Sequence, residues 1–193
     1  MTKSYIIKGI NIQELERIYD KAHAWFFAYP TEGISLTDLS INLRVSKKTA
    51  KIIVSSLEKE GFLQKKVLGK IWQITANQQH PYFMTRRIPF NLRLIYESGI
   101  IEWVTENIPN FLSITLFGSY RKGEDMPLSD IDIAIEIIGD EPMKIIKRTI
   151  PELGYRKNIP VNFHIFSRNH VDLNLFNNIA NGIVLQGFLE VHP

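Results

Sequence analysis

Asp130 and Asp132 flank Ile131 at the head of the apolar run Ile131–Ile137. On a β-strand, residues two apart point to one face. The two carboxylates therefore lie side by side, while Ile131 and Ile133 turn to the opposite face and a core. Two ionised carboxylates at this spacing repel each other. A divalent cation reverses that penalty. Hard oxygen ligands select Mg²⁺ or Mn²⁺, which bind one or two carboxylates and keep positions open for phosphate. Ten residues separate Asp130 from Ser119, where a second apolar run, Phe111–Phe117, breaks at Gly118-Ser119. Gly118 permits close approach of backbone to a ligand. Ser119 and the amides after it form an anion site. A phosphate-binding turn beside a metal-binding carboxylate pair is what phosphoryl or nucleotidyl transfer requires. The metal neutralises a triphosphate, activates the attacking hydroxyl and stabilises the leaving pyrophosphate. Arg121 and Lys122 either add charge at the phosphates or are surface residues.

These groups must be positioned by a sheet. Phe111–Phe117, Ile131–Ile137 and residues 161–166 read as strands, with a short last strand at 182–187. A helix is expected over residues 92–107, before Pro109. Residues 141–153 look helical, with Pro142 near the N-terminus where proline is tolerated. Ser167 is expected to cap a helix running to about Ala180. The alternation implies a mixed sheet with helices packed on it. Residues 77–91, polar and punctuated by proline, read as the linker from the first half.

The first half has another character. A helix is expected over Ile12–Ala28, with Leu15, Ile18, Tyr19, Ala22 and Phe26 on one face. Ser35, with Asp38 three residues on, starts a second helix in a capping-box pattern that buries Leu36, Leu39 and Leu43. Ser46 caps a third, whose apolar face is Ala50, Ile53, Val54 and Leu57. Its opposite face carries Lys47, Lys48, Thr49 and Lys51. Two β-rich runs, 62–67 and 71–75, flank a turn at Leu68-Gly69-Lys70.

This order, in the segment "SLTDLSINLRVSKKTAKIIVSSLEKEGFL", resembles the winged helix-turn-helix family. The resemblance implies that the second of the paired helices enters the major groove of double-stranded DNA and presents Lys47, Lys48, Thr49 and Lys51. The wing would place Lys65, Lys66 and Lys70 near phosphates. Lysines are point charges, so salt-dependent affinity is expected before base discrimination. Seven lysines fall between positions 47 and 70. The bland alternative is a protein-interaction module with a soluble basic face.

In the second half, "FGSYRKGEDMPLSDIDIAI" resembles the signature of the DNA polymerase β-like nucleotidyltransferase superfamily, nearest its minimal nucleotidyltransferases, with Gly123 and Ser129 also in place. The resemblance covers roughly residues 90–193. It implies an α+β fold, a nucleoside triphosphate (ATP the expected one) held by Gly118, Ser119 and Lys122, and Mg²⁺ or Mn²⁺ held by Asp130 and Asp132. Some members of the subgroup act as antitoxins that modify a partner toxin, so a toxin-like protein partner is a sub-case. Active members carry a third carboxylate on a later strand. In "PVNFHIF" the matching position is Asn162, whose amide cannot act as a base. His164, two residues on and on the same face, is the candidate base or ligand, or else a hydrogen-bonded structural residue. Glu136 shares the aspartate face but lies too far along the strand to replace the missing acid.

Composition bounds the rest. The chain of 193 residues divides into a basic first part and an acidic second part. Residues 1–80 carry 12 Lys/Arg against 7 Asp/Glu; residues 81–193 carry 11 against 13. The division expected is a DNA-binding domain over 1–80 and a nucleotidyltransferase-like domain over 81–193. The chain has no cysteine, which excludes disulfides, zinc-thiolate sites and thiol catalysis and fits a cytoplasmic protein. No apolar run is long enough to span a bilayer, and charges interrupt the N-terminus too often for a signal peptide. A dimer is one expectation for the assembly. Two functions compete: a metal-dependent transferase of nucleoside monophosphate to a hydroxyl, and a DNA-binding regulator whose second domain senses nucleotide without fast catalysis.

Overall fold

The computed structural model describes residues 12–191, with side chains from Arg17 onward. The signal-peptide expectation for the extreme N-terminus, and the side chain of Leu15, lie outside the described residues. The chain forms two compact units, Met1–Pro81 and Tyr82–Pro193.

In the first unit, α1 (Ile12–Ala28), α2 (Leu36–Leu43) and α3 (Lys47–Lys59) precede a hairpin of β1 (Leu63–Leu68) and β2 (Ile71–Ala76). Ser35 and Asp38 form the reciprocal cap at α2. The Asp38 amide donates to Ser35 Oγ at 3.1 Å, and that hydroxyl donates back to Asp38 Oδ2 at 2.6 Å. Ser46 caps α3 by accepting from the Thr49 amide. The core gathers Ala22, Phe26, Leu39, Leu43, Ile53, Val54, Leu57, Phe62 and Ile74, all with no exposed surface. Ile34 bridges to Ile74 and ties the segment before α2 to the hairpin.

The second unit begins with α4 (Tyr82–Thr85), α5 (Arg87–Glu97) and α6 (Ile100–Asn107). The expected linker therefore stops short, and the single expected helix is two. Pro89 sits in the first turn of α5, where the missing N–H has no intrahelical partner to lose. Gly99, with φ +80°, breaks the chain before α6.

The sheet follows: β3 (Phe111–Phe117), a single helical turn α7 (Gly118–Lys122), β4 (Ile131–Ile137), β5 (Lys144–Leu153), β6 (Arg156–Phe166), α8 (Leu173–Ala180) and β7 (Ile183–Gly187). Its order is β5-β6-β4-β3-β7, with β4 and β6 parallel and every other pair antiparallel. Ile131, Ile133 and Ile135 join Val161, Phe163 and Ile165 on the face packed against Ile95, Ile100 and Val104 of α5 and α6. The opposite face carries Phe117, Ala134 and Phe166 against Ile179 of α8.

Two expectations fail here. Residues 141–153 are not helical: Lys144–Leu153 is an edge strand paired with β6. Ile146 and Ile150 are spaced four apart, which satisfies both the helical and the strand period. Pairing with a distant strand decides between them, and the edge position tolerates Pro151. Ser167 does not cap the last helix. Its hydroxyl donates to the Glu141 carbonyl at 2.6 Å, a short 3-10 turn follows, and Asp172 caps α8. No helix among the described residues is long and apolar enough to cross a membrane.

Candidate nucleotide and metal site

In the register of the sheet, Asp132 sits between Phe117 of β3 and Asn162 of β6, and Ala134 lies opposite His164. Strand alternation thus brings Asp132, Asn162 and His164 to one face, away from the isoleucine core. Asn162 Nδ2 donates to Asp130 Oδ2 at 3.0 Å and to Asp132 Oδ1 at 3.2 Å. The two carboxylates converge on one amide. His164 Nε2 also donates to Asp132 Oδ1, at 3.2 Å. Its ring packs edge-on against Phe117 at 5.1 Å, and its Nδ1 is buried with no hydrogen-bond partner among the described residues. One ring nitrogen thus meets Asp132 and the other is turned into the buried interior.

The other oxygen of Asp132 looks toward the turn. Gly118 has φ +73°, and a Cβ built there would stand 2.7 Å from Asp132 Oδ2. Any other residue would be strained and would push the carboxylate away. Gly118 and Ser119 open α7 directly after β3, so the expected turn and the aspartate pair are brought together. Lys122 is exposed at the far end of α7, and no hydrogen bond holds it against the pair. Glu136 lies further along the same face, almost fully buried, with Arg168 Nη2 at 2.6 Å. It is occupied by that ion pair and is no substitute for a third acid.

Among the described residues, no three His, Cys, Asp or Glu side chains converge on one point. The donor set that does converge is two carboxylates with an oxygen turned toward a glycine turn. That set suits Mg²⁺ or Mn²⁺, which take one or two carboxylates and complete their shell with water and substrate phosphate.

Residues 98–185 match the nucleotidyltransferase domain family. The match supports, for this segment, the nucleotidyltransferase superfamily and its general function of nucleotidyl transfer. It starts at the break before α6 and ends in β7, so it takes in Gly118, Ser119, Asp130, Asp132, Asn162 and His164. No curated protein matches the chain.

The nucleotidyltransferase segment has a support that sequence reasoning missed. Arg87 and Asn91 of α5, Asp125 of the loop before β4, and Arg156 at the start of β6 form a buried cluster beside Tyr120. Burial pushes the Arg87 guanidinium down from its ordinary pKa, an effect Asp125 partly offsets. Burial also pushes the Tyr120 phenol well up. In sequence, Arg87 reads as part of a linker and Asp125 as one more loop charge; no spacing links them.

In the first unit, Lys47, Lys48 and Lys51 are exposed on α3, as are Lys66 and Lys70 on the hairpin. Thr49 is not exposed as expected. It is buried, its hydroxyl 2.9 Å from Ser46 Oγ, because the N-cap draws it inward. Lys65 pairs with Glu58 at 2.7 Å and lies 4.5 Å from the centre of the Trp72 ring. Lys66, next along β1, faces the other side of the hairpin. A cleft of about 410 Å³ at the N-terminus of α3 is lined by Arg17, Lys21 and Arg44. Arg17 and Lys21 lie one turn apart on α1 and Arg44 follows α2, so only the fold brings the three cations together.

Proposed function

We propose that the second unit binds a nucleoside triphosphate with Mg²⁺ or Mn²⁺ and transfers its nucleoside monophosphate to a hydroxyl of a protein, nucleic acid or small molecule. One observation carries this reading: Asp130 and Asp132 converge on a single donor while Asp132 Oδ2 faces the Gly118-Ser119 turn. Asp130 and Asp132 would hold the cation. When bound, it supplies neutralisation of the triphosphate and of the leaving pyrophosphate. Ser119 and the amides that open α7 orient phosphate oxygens. Asn162 and His164 keep Asp132 pointed at them.

A labelled-triphosphate assay with Mg²⁺ or Mn²⁺ tests the proposal by comparing the native chain with Asp132→Ala. Transfer by the native chain that the variant loses is the expected result. Absence of both transfer and metal-dependent triphosphate binding in the native chain overturns it.

Asn162 favours a second reading. The position where a third acid would accept the proton of the attacking hydroxyl holds an amide that only donates to the pair. The unit would then sense nucleotide rather than transfer it, and the assay would return metal-dependent binding without product.

For the first unit, we propose a winged helix that binds double-stranded DNA. Support comes from the exposed Lys47, Lys48 and Lys51 on α3, from Lys66 and Lys70 on the hairpin, and from the cleft with Arg17, Lys21 and Arg44. These cations neutralise phosphates, so affinity should fall steeply with salt.

A further inference from the structure

The buried cluster ends, on both sides, at the backbone of residues adjacent to the site. Asp125 is at its centre, with 2% of its surface exposed; Arg87 has 3%, Asn91 2% and Arg156 6%. Arg156 Nη1 meets Asp125 Oδ2 at 3.1 Å, while its Nη2 donates to the Ser129 carbonyl at 3.0 Å. Ser129 immediately precedes Asp130. Arg87 Nη2 meets the same Asp125 Oδ2 at 3.1 Å and also donates to the Asp125 carbonyl. Asn91 Nδ2 donates to Asp125 Oδ1 at 2.7 Å and to the Tyr120 carbonyl at 3.1 Å. Tyr120 immediately follows Ser119. The loop itself is closed by two hydrogen bonds: the Met126 amide donates to Ser129 Oγ, and the Ser129 amide to the Met126 carbonyl.

Stability alone does not account for this cluster. Burying charge is expensive, and well-packed apolar side chains of similar volume commonly serve a fold as well. The cluster holds two cations to one anion, and its surplus positive charge lies behind the loop that delivers two aspartates. Its hydrogen bonds also fix the two segments whose separation decides whether Asp130 and Ser119 can share one ligand. Arg87 and Asn91 precede the matched nucleotidyltransferase span, so α5 contributes to the site from outside it.

We propose that Arg156 is a positioning residue which, through Asp125 and the Ser129 carbonyl, sets Asp130 against the Gly118-Ser119 turn, with Arg87 and Asn91 anchoring the other side. The proposal rests on the reading of Asp130 and Asp132 as cation ligands. Its guanidinium fork is essential, since one arm goes to Asp125 and the other to Ser129. A lysine keeps the charge and can reach only one of them.

The test is calorimetric titration of the full chain with Mn²⁺ and ATP, for native protein, Arg156→Gln, Arg156→Lys and Asp125→Asn. Electron paramagnetic resonance of the bound Mn²⁺ reports its coordination. Ile95→Val, a core change on α5 that removes no hydrogen bond of the cluster, controls for lost stability. Outer-shell partners of metal ligands typically change affinity ~10–100-fold, so Arg156→Gln should weaken Mn²⁺–ATP about tenfold or more. Arg156→Lys should fall between it and native protein, with a broadened Mn²⁺ spectrum. If Arg156→Gln fails to fold, the lysine variant decides. Native-like affinity and spectrum in Arg156→Lys and Asp125→Asn overturn the proposal, as does an equal loss in Ile95→Val. Failure of the native chain itself to bind Mn²⁺–ATP sinks the ligand reading beneath it, a result distinct from failure of the variants.

Discussion

At the scale of single residues, Asn162 decides the most. Its amide donates to both carboxylates and so replaces, in part, the attraction a cation would supply. Asn162→Asp would lose two hydrogen bonds to charged acceptors and add a third like charge. Hydrogen bonds to charged groups contribute about 1.5–3 kcal/mol each, so the metal-free variant should lose roughly 3–6 kcal/mol of stability. Mn²⁺ should then raise its melting temperature more than that of the native chain, because a ligand that binds only the folded state stabilises it by mass action. Thermal denaturation with and without Mn²⁺ checks this. Equal shifts in both proteins would mean that position 162 does not face the cation. Gly118 is similarly constrained, since its left-handed backbone and the nearby Asp132 Oδ2 leave no room for a Cβ.

At the scale of elements, α7 and α3 make separate predictions. In α7, the Tyr120 phenol is held neutral by burial, with its pKa raised above the ordinary 10. Below pH 10 it is protonated in both folded and unfolded chains and contributes no slope. Above pH 10 the unfolded chain releases that proton and the folded chain keeps it, so stability falls as pH rises. The limiting slope is about 1.4 kcal/mol per pH unit for one proton. Denaturant titrations from pH 9 to 11 should show a fall that is shallower by that component in Tyr120→Phe. Parallel curves would place the phenol in contact with water. In α3, changing Lys47 and Lys48 together to alanine should weaken DNA binding and lower its log–log salt slope by about 2, one for each phosphate no longer neutralised. Fluorescence anisotropy across a salt series measures the slope, and an unchanged slope would discard this face.

At the scale of the whole molecule, the two units carry opposite charge and different chemistry, so their functions should separate by mutation. Asp132→Ala should leave DNA affinity unchanged, and the paired Lys47 and Lys48 alanine variant should leave Mn²⁺–ATP affinity unchanged. Mutual loss in either direction would show that neither unit works alone. Much of this division was legible along the chain. The caps at Ser35 and Ser46, the limits of Phe111–Phe117 and Ile131–Ile137, and the side-by-side aspartates all follow from local rules of period and hydrogen bonding. Those rules act between residues a few positions apart, which a sequence displays directly. The strand at Lys144–Leu153, the inward turn of Thr49 and the engagement of His164 with Asp132 depended on what packs beside them. So did the meeting of Arg87, Asp125 and Arg156, which are 31 to 69 positions apart in pairs. The sequence by itself determined which groups could do chemistry and which strand faces they occupy, because backbone geometry is local. Only the tertiary structure decided which oxygens stay open and what holds them, because sheet register and charge burial join segments that the chain order keeps apart.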